Sequence, residues 1–97
     1  MSGAEDRRTK RALVHKDVVI NGVTKAEALD ISIDGMYIYT QFSFIAGTIF
    51  ELSFKIGEDA IKAMARVQHA QSNVGIGVKF VELSAENSEK IKRYLEG

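Results

Sequence analysis

An antiparallel β-barrel or closed sandwich, finished by one C-terminal helix, is the fold class that this 97-residue sequence predicts. Three observations lead there. Apolar residues recur with period two in several stretches, as half-buried strands require. An Asn-Gly pair at positions 21 and 22 separates two of these stretches and suits a tight hairpin turn. The last fourteen residues, SAENSEKIKRYLEG, carry a capped pattern with helical spacing.

Taken in order, residues 1–11 (MSGAEDRRTKR) offer only Met1 and Ala4 as apolar side chains, which predicts a flexible arm. A barrel over residues 12–97 follows, its first strand starting near Leu13. Val18 to Ile20 and Val23 onward form the arms of the Asn21-Gly22 hairpin. In the next strand Leu29, Ile31 and Ile33 alternate with Ala28, Asp30 and Ser32. If the first set enters the core, Asp30 and Ser32 project together from the outer face. Gly35 then supports a bend into the strand GMYIYT, because glycine accepts positive φ without penalty. In TIFELSFKI, Phe50, Leu52, Phe54 and Ile56 point one way and Glu51, Ser53 and Lys55 the other. The stretch EDAIKAMARVQHAQ reads two ways: it is rich in helix formers, yet Ile61, Ala63, Ala65 and Val67 alternate. In NVGIGVKFV, Val74, Ile76, Val78 and Phe80 share one face, leaving Gly75, Gly77 and Lys79 on a nearly bare other face. A short helix over about 84–96 ends the chain, with Ser84 as cap and Ile91, Tyr94 and Leu95 as its apolar stripe. Phe42, Phe44, Phe50 and Phe54, with Tyr37 and Tyr39, are most economically barrel core.

Composition narrows the function classes. With 45% hydrophobic residues the chain can build one core but not two. Lys plus Arg and Asp plus Glu both number 13, so no bulk field draws the protein to nucleic acid or to an acidic membrane. Any anion site must therefore be local. The chain has no cysteine, which removes disulfides, thiolate metal sites and thiol nucleophiles. It shows neither a secretory h-region nor an apolar run of membrane-spanning length, and the expectation is a cytoplasmic protein without membrane attachment. His15 and His69 have no spaced partner, so no metal site is expected. Ser32 lacks a nucleophile-elbow context, and no enzyme is expected. GIGVKF begins like a dinucleotide loop, but Phe80 stands where the third glycine belongs.

Two clusters remain. Arg7 and Arg11, four residues apart within RRTKR, can grip one anion in a turn or reach around it in an extended arm. Guanidinium groups bind phosphate through paired hydrogen bonds and also match the O6 and N7 acceptors of guanine. Asp30 offers acceptors for the N–H donors of a guanine edge, and Ser32 can meet a phosphate oxygen or an amine. The bare Gly75 and Gly77 leave room for a flat ring to approach the backbone.

In this order, Arg7-x-x-x-Arg11 followed by Asp30-x-Ser32-x-x-Gly35 resembles the two-part signature of PilZ domains, bacterial receptors for cyclic di-GMP. Gly75-Ile76-Gly77-Val78-Lys79-Phe80 is similar to the later glycine strand of that family, so the likeness spans about residues 7 to 95. The resemblance implies a six-stranded antiparallel β-barrel with a C-terminal α-helix, and it makes AIKAMARVQ a strand. It also implies that Arg7 and Arg11 hold phosphates and guanine, that Asp30 and Ser32 recognise a guanine and a nearby phosphate, and that Gly35 shapes the turn. Arg8, Gly75 and Gly77 are secondary candidates. Cyclic di-GMP would be the ligand, with no cofactor or metal and no catalysis. Asp6, just before the first arginine, leaves open whether one or two dinucleotides bind.

The expected mechanism is closure of the arm over the ligand. Ordering the arm costs about 1–2 kcal/mol per residue, which charge-assisted hydrogen bonds of roughly 1.5–3 kcal/mol each can offset. Closure would create a surface for a partner protein in trans. The alternatives are a PilZ-like adaptor that works without nucleotide and, against the neutral charge, a single-strand binder stacking bases on Tyr37 and Tyr39.

Overall fold

The computed structural model describes residues 11–97. Six strands precede one helix: β1 (Arg11–Ile20), β2 (Thr24–Ser32), β3 (Gly35–Tyr39), β4 (Ile49–Ile56), β5 (Asp59–Gln71), β6 (Gly75–Glu82) and α1 (Ala85–Glu96). All neighbouring strands are antiparallel, and they close into a barrel in the order β1-β2-β3-β6-β5-β4. The barrel reading of the alternation therefore holds over the sandwich. Arg11, assigned above to the arm, is the first residue of β1 and pairs with Ser32, so the strand begins two residues before Leu13.

Local chemistry explains the elements. Asn21 and Gly22 take φ of 53° and 76°, and the Val23 N–H donates to the Ile20 carbonyl at 3.1 Å, which makes the expected tight turn; with Ile20 paired to Thr24, Val23 belongs to the turn rather than to the second arm. The ambiguous stretch is the long strand β5. Ile61, Ala63, Ala65 and Val67 point into the core while β4 and β6 supply ladders on both sides, so tertiary pairing overrides helix propensity. On β4, Phe50, Leu52, Phe54 and Ile56 are all buried. With Val18, Ile31, Ile38, Ile76 and Ile91 they make one continuous core inside the barrel.

The β2 alternation is broken. A bulge between Ala28 and Asp30 inserts one residue, so Ala28 and Ile31 face inward, Leu29 is only half-buried and Ile33 is exposed. The aromatic group also divides. Phe50 and Phe54 lie in the core, but Phe42 is 62% exposed, Tyr39 is exposed and Tyr37 lies half-buried on the outer face. The reason is the β3–β4 connection, residues 40–48. It joins strands on opposite sides of the barrel and so must span the barrel end. Phe44 turns in and packs edge-on against Phe50 at 5.4 Å, while Gly47 and Thr48 exchange backbone hydrogen bonds with Val67. Phe42 and Ile45 are left on the outside.

Helix α1 covers the other end. Ser84 caps it by accepting from the Asn87 N–H at 3.0 Å, and Gly97 closes it with φ of 106°. Ile91 is completely buried in the barrel core, Asn87 donates to the Lys62 carbonyl, and the Lys16 ammonium lies 5.3 Å from the Tyr94 ring centre. No helix among the described residues is long and apolar enough to cross a membrane.

Candidate functional site

The bulge in β2 builds the site. Because an extra residue precedes it, Asp30 stands opposite Tyr37, and its Oδ1 accepts the Tyr37 N–H at 2.9 Å. The same oxygen accepts from Arg11 Nη1 at 2.8 Å. Arg11 thus leans across from β1 onto a carboxylate that the backbone of β3 holds in place. The pair is partly exposed, with side-chain accessibilities of 48% for Arg11 and 18% for Asp30, so it contributes at most about 1 kcal/mol to stability. Its effect is geometric, since a guanidinium held this way loses less rotamer freedom when it meets an anion.

Ser32 does not project beside Asp30. Its side chain is completely buried, its hydroxyl accepts from the N–H groups of Asp34 and Gly35 at 3.1 and 3.2 Å, and it lies 3.4 Å from the Gly35 carbonyl. This is a serine turn, which alternation cannot reveal because it is made by the residues that follow the strand. Gly35 does shape this turn, but not through positive φ, for it is absent from the positive-φ glycines. Its reason is space. A Cβ there would sit 1.9 Å from the Val78 carbonyl oxygen of β6.

Gly75 and Gly77 are not bare platforms either. A Cβ on Gly75 would meet the Tyr37 ring at 2.9 Å, and one on Gly77 would meet the His69 imidazole at 2.6 Å. The room that these glycines provide is filled by two flat rings of the protein itself. Tyr37, whose hydroxyl donates to Gln71 at 3.3 Å, is therefore part of the wall rather than a free stacking surface.

Together these residues border a cleft of about 450 Å³ on the outer face of β2, β3, β6 and β5, within the range of about 300–1,000 Å³ typical of ligand sites. Arg11, Asp30, Gly35 and Gly77 line it, joined by Asp34, Tyr37, Gln68, His69 and Lys79. Gly75 and Ser32 are not in the lining. Arg7 and Arg8 lie outside the described residues. Sequence reasoning missed Lys79 and His69 as wall residues. Lys79 was legible as the outward neighbour of Gly77, whereas His69 reaches the cleft only through the β5–β6 register, where it pairs with Gly77. Among the described residues no group of three His, Cys, Asp or Glu side chains could hold a metal ion.

Comparison with known proteins agrees with this fold. The fold is similar to that of an inhibitor of motility from Bacillus subtilis (MotI/DgrA), with a TM-score of 0.79 and 20% identity over 93% of this chain and 49% of that one. It is also similar to the PlzA protein of Borreliella burgdorferi, solved in complex with c-di-GMP, with a TM-score of 0.66 and 15% identity over 89% of this chain and 39% of that one. A third similar structure is an uncharacterized protein from Legionella, with a TM-score of 0.64 and 18% identity over 89% of both chains. The chain thus spans half or less of the length of the first two proteins. No curated protein matches the sequence. Residues 5–97 match the PilZ domain, and the chain belongs to that family.

Proposed function

We propose that this PilZ domain is a receptor for cyclic di-GMP that signals to a partner protein in trans. The observation that carries the reading is the 2.8 Å contact between Arg11 and Asp30, one residue from each half of the sequence signature, at the edge of one cleft. In this reading Arg11, joined by Arg7 and Arg8 from the preceding segment, takes phosphate oxygens and the guanine O6 and N7 edge. Asp30 accepts from the guanine N–H donors, and Lys79 adds positive charge on the β6 side. Ser32 and Gly35 act through the turn that sets the height of this wall. The glycine at 77 acts through the ring it admits. The complex of PlzA with c-di-GMP supports the ligand class. PilZ domains are receptors or adaptors, and no chemical step is assigned to the cleft. A cytoplasmic site of action and closure of the segment before Arg11 over the ligand belong to the same proposal.

A second reading has its own support. The Ser32 hydroxyl is spent inside the turn and His69 covers Gly77, which suits an adaptor that binds protein without nucleotide. Calorimetric titration with cyclic di-GMP separates the two. Binding heat in the parent chain, with Kd raised about 10- to 100-fold in both Arg7→Ala and Asp30→Ala, is expected for loss of one charge-assisted hydrogen bond set. Absence of heat in the folded parent chain refutes the receptor reading.

A further inference from the structure

The fixed charges of the cleft cancel. Arg11 and Lys79 in its lining are matched by Asp30 and Asp34, and Arg11 is already engaged with Asp30 at 2.8 Å. A doubly negative dinucleotide therefore meets no excess of positive charge among these four groups. One lining side chain can change the sum: of the two histidines in the chain, His69 lines the cleft and His15 does not. Strict alternation would send His69 inward with Val67, but a bulge between them turns it to the outer face. There Asp30 pairs with Tyr37, Tyr37 with Gly77, and Gly77 with His69, which makes one row across β2, β3, β6 and β5. At about 4.8 Å per strand the row is roughly 14 Å long, with the Asp30 carboxylate at one end and the imidazole at the other. A Cβ on Gly77 would lie 2.6 Å from His69 Nε2 and 2.7 Å from Cε1, so this edge of the ring stands over the bare glycine. The residue is exposed, and neither ring nitrogen has a hydrogen-bond or ion-pair partner among the described residues. His15, by contrast, holds Nδ1 3.0 Å from Glu27.

From this we infer that His69 is a binding residue of the cleft, and that cyclic di-GMP is taken up together with a proton on its imidazole. The inference rests on the receptor reading above and deepens it. Histidine is the side chain whose charge ordinarily changes between pH 5 and 8. Protonated, its ring brings one positive charge and two N–H donors; neutral, it brings one donor and one acceptor. The ionised groups that face it in the empty cleft are of both signs: Arg11 of β1 and Lys79 of β6 against Asp30 of β2 and Asp34 of the β2–β3 turn. Tyr37 of β3 spends its hydroxyl on Gln71. Two phosphodiester charges entering this balanced site tip it toward the imidazolium, because a nearby opposite charge favours the charged form. The proton comes from solvent, so the complex is strongest at low pH and weakens as pH rises. The cleft would then read acidity as well as dinucleotide concentration.

Calorimetric titration of the whole chain with cyclic di-GMP at about pH 5.5, 6.5 and 7.5, each in buffers of low and high ionisation enthalpy, tests it. Kd is expected to rise about tenfold from the lowest pH to the highest, as one charge-assisted hydrogen bond is lost. The two buffers should differ in heat by the uptake of a fraction of a proton per ligand. His69→Gln keeps a hydrogen-bonding side chain without a titrating charge, so its Kd should stay near the parent's high-pH value throughout. His15→Gln should follow the parent profile. Both side chains are exposed, and circular dichroism at each pH checks that the variants stay folded. A parent Kd that is the same at all three pH values overturns the inference and leaves the receptor reading standing. So does a His69→Gln variant that keeps the parent's pH profile. Absence of heat in the folded parent at every pH overturns both.

Discussion

Replacing Ser32 by alanine tests whether this residue acts as a builder of the turn or as a group that touches ligand. Its hydroxyl accepts two backbone N–H groups, and the two donors stand in different surroundings: Gly35 is buried, whereas Asp34 is exposed. Losing the acceptor leaves the buried donor unpaired, at about 1–3 kcal/mol, while the Asp34 N–H can turn to water at a cost of roughly 0.5 kcal/mol. The sum is about 1.5–3.5 kcal/mol. For a domain of this size each kcal/mol lowers Tm by about 4–8 °C, so a fall of roughly 6–28 °C is expected. Scanning calorimetry reads it directly, and urea melts should show a lower midpoint with unchanged slope. If the role is confined to the turn, the variant titrated well below its Tm keeps the parent Kd for cyclic di-GMP within about threefold. A Tm within about 2 °C of the parent would refute the reasoning, since it would mean that the turn does not depend on this hydroxyl.

The remaining predictions use the same logic at other positions. Gly35→Ala forces a Cβ against the Val78 carbonyl and should cost about 3 kcal/mol or more, whereas Gly22→Ala, with open space around it and φ of 76°, should cost about 1 kcal/mol; chemical denaturation ranks the two. Ser84→Ala removes the α1 cap and should cost about 1 kcal/mol by the same measurement. Asp30→Asn keeps an acceptor for the Tyr37 N–H but loses the ion pair with Arg11, so stability should fall by no more than about 1 kcal/mol; a larger loss would show that the pair is structural.

Most of the barrel was legible because its strands obey period two wherever one face is buried. Phe50 to Ile56 read correctly for that reason, whereas Ile61 to Val67 stayed open between helix and strand until the family resemblance made it a strand; Asn21-Gly22 announced its turn through backbone chemistry that few other pairs satisfy. Failures came where a residue's surroundings are set by chain far away. The bulge before Asp30 exists only in the pairing with β3, so the reading of Leu29 and Ile33 as core could not anticipate it. Ser32 looked outward because alternation says nothing of a side chain that folds back on its own turn. The glycines at 35, 75 and 77 are each demanded by a neighbour on another strand, where the sequence suggested a positive-φ bend at Gly35 and room for an incoming ring at Gly75 and Gly77. Phe42 misled because hydrophobicity does not tell which residues of a crossing connection face in.

The barrel does not close with equal strength all round. β1 and β4 share only three residue pairs, Val18 to Ile20 against Leu52 to Phe54, while β4 and β5 share eight. That short seam is where the cylinder unzips first, so the amides of Val19 and Ser53 should trade protons for deuterons ahead of those of Leu52 and Ala63 in the long ladder's centre if breathing of the seam exposes its outward half. Because Arg11 lies on the strand that borders this seam, a ligand gripping its guanidinium would tighten a join at some distance along the same ribbon, and slowed exchange there would report occupancy without any probe in the cleft.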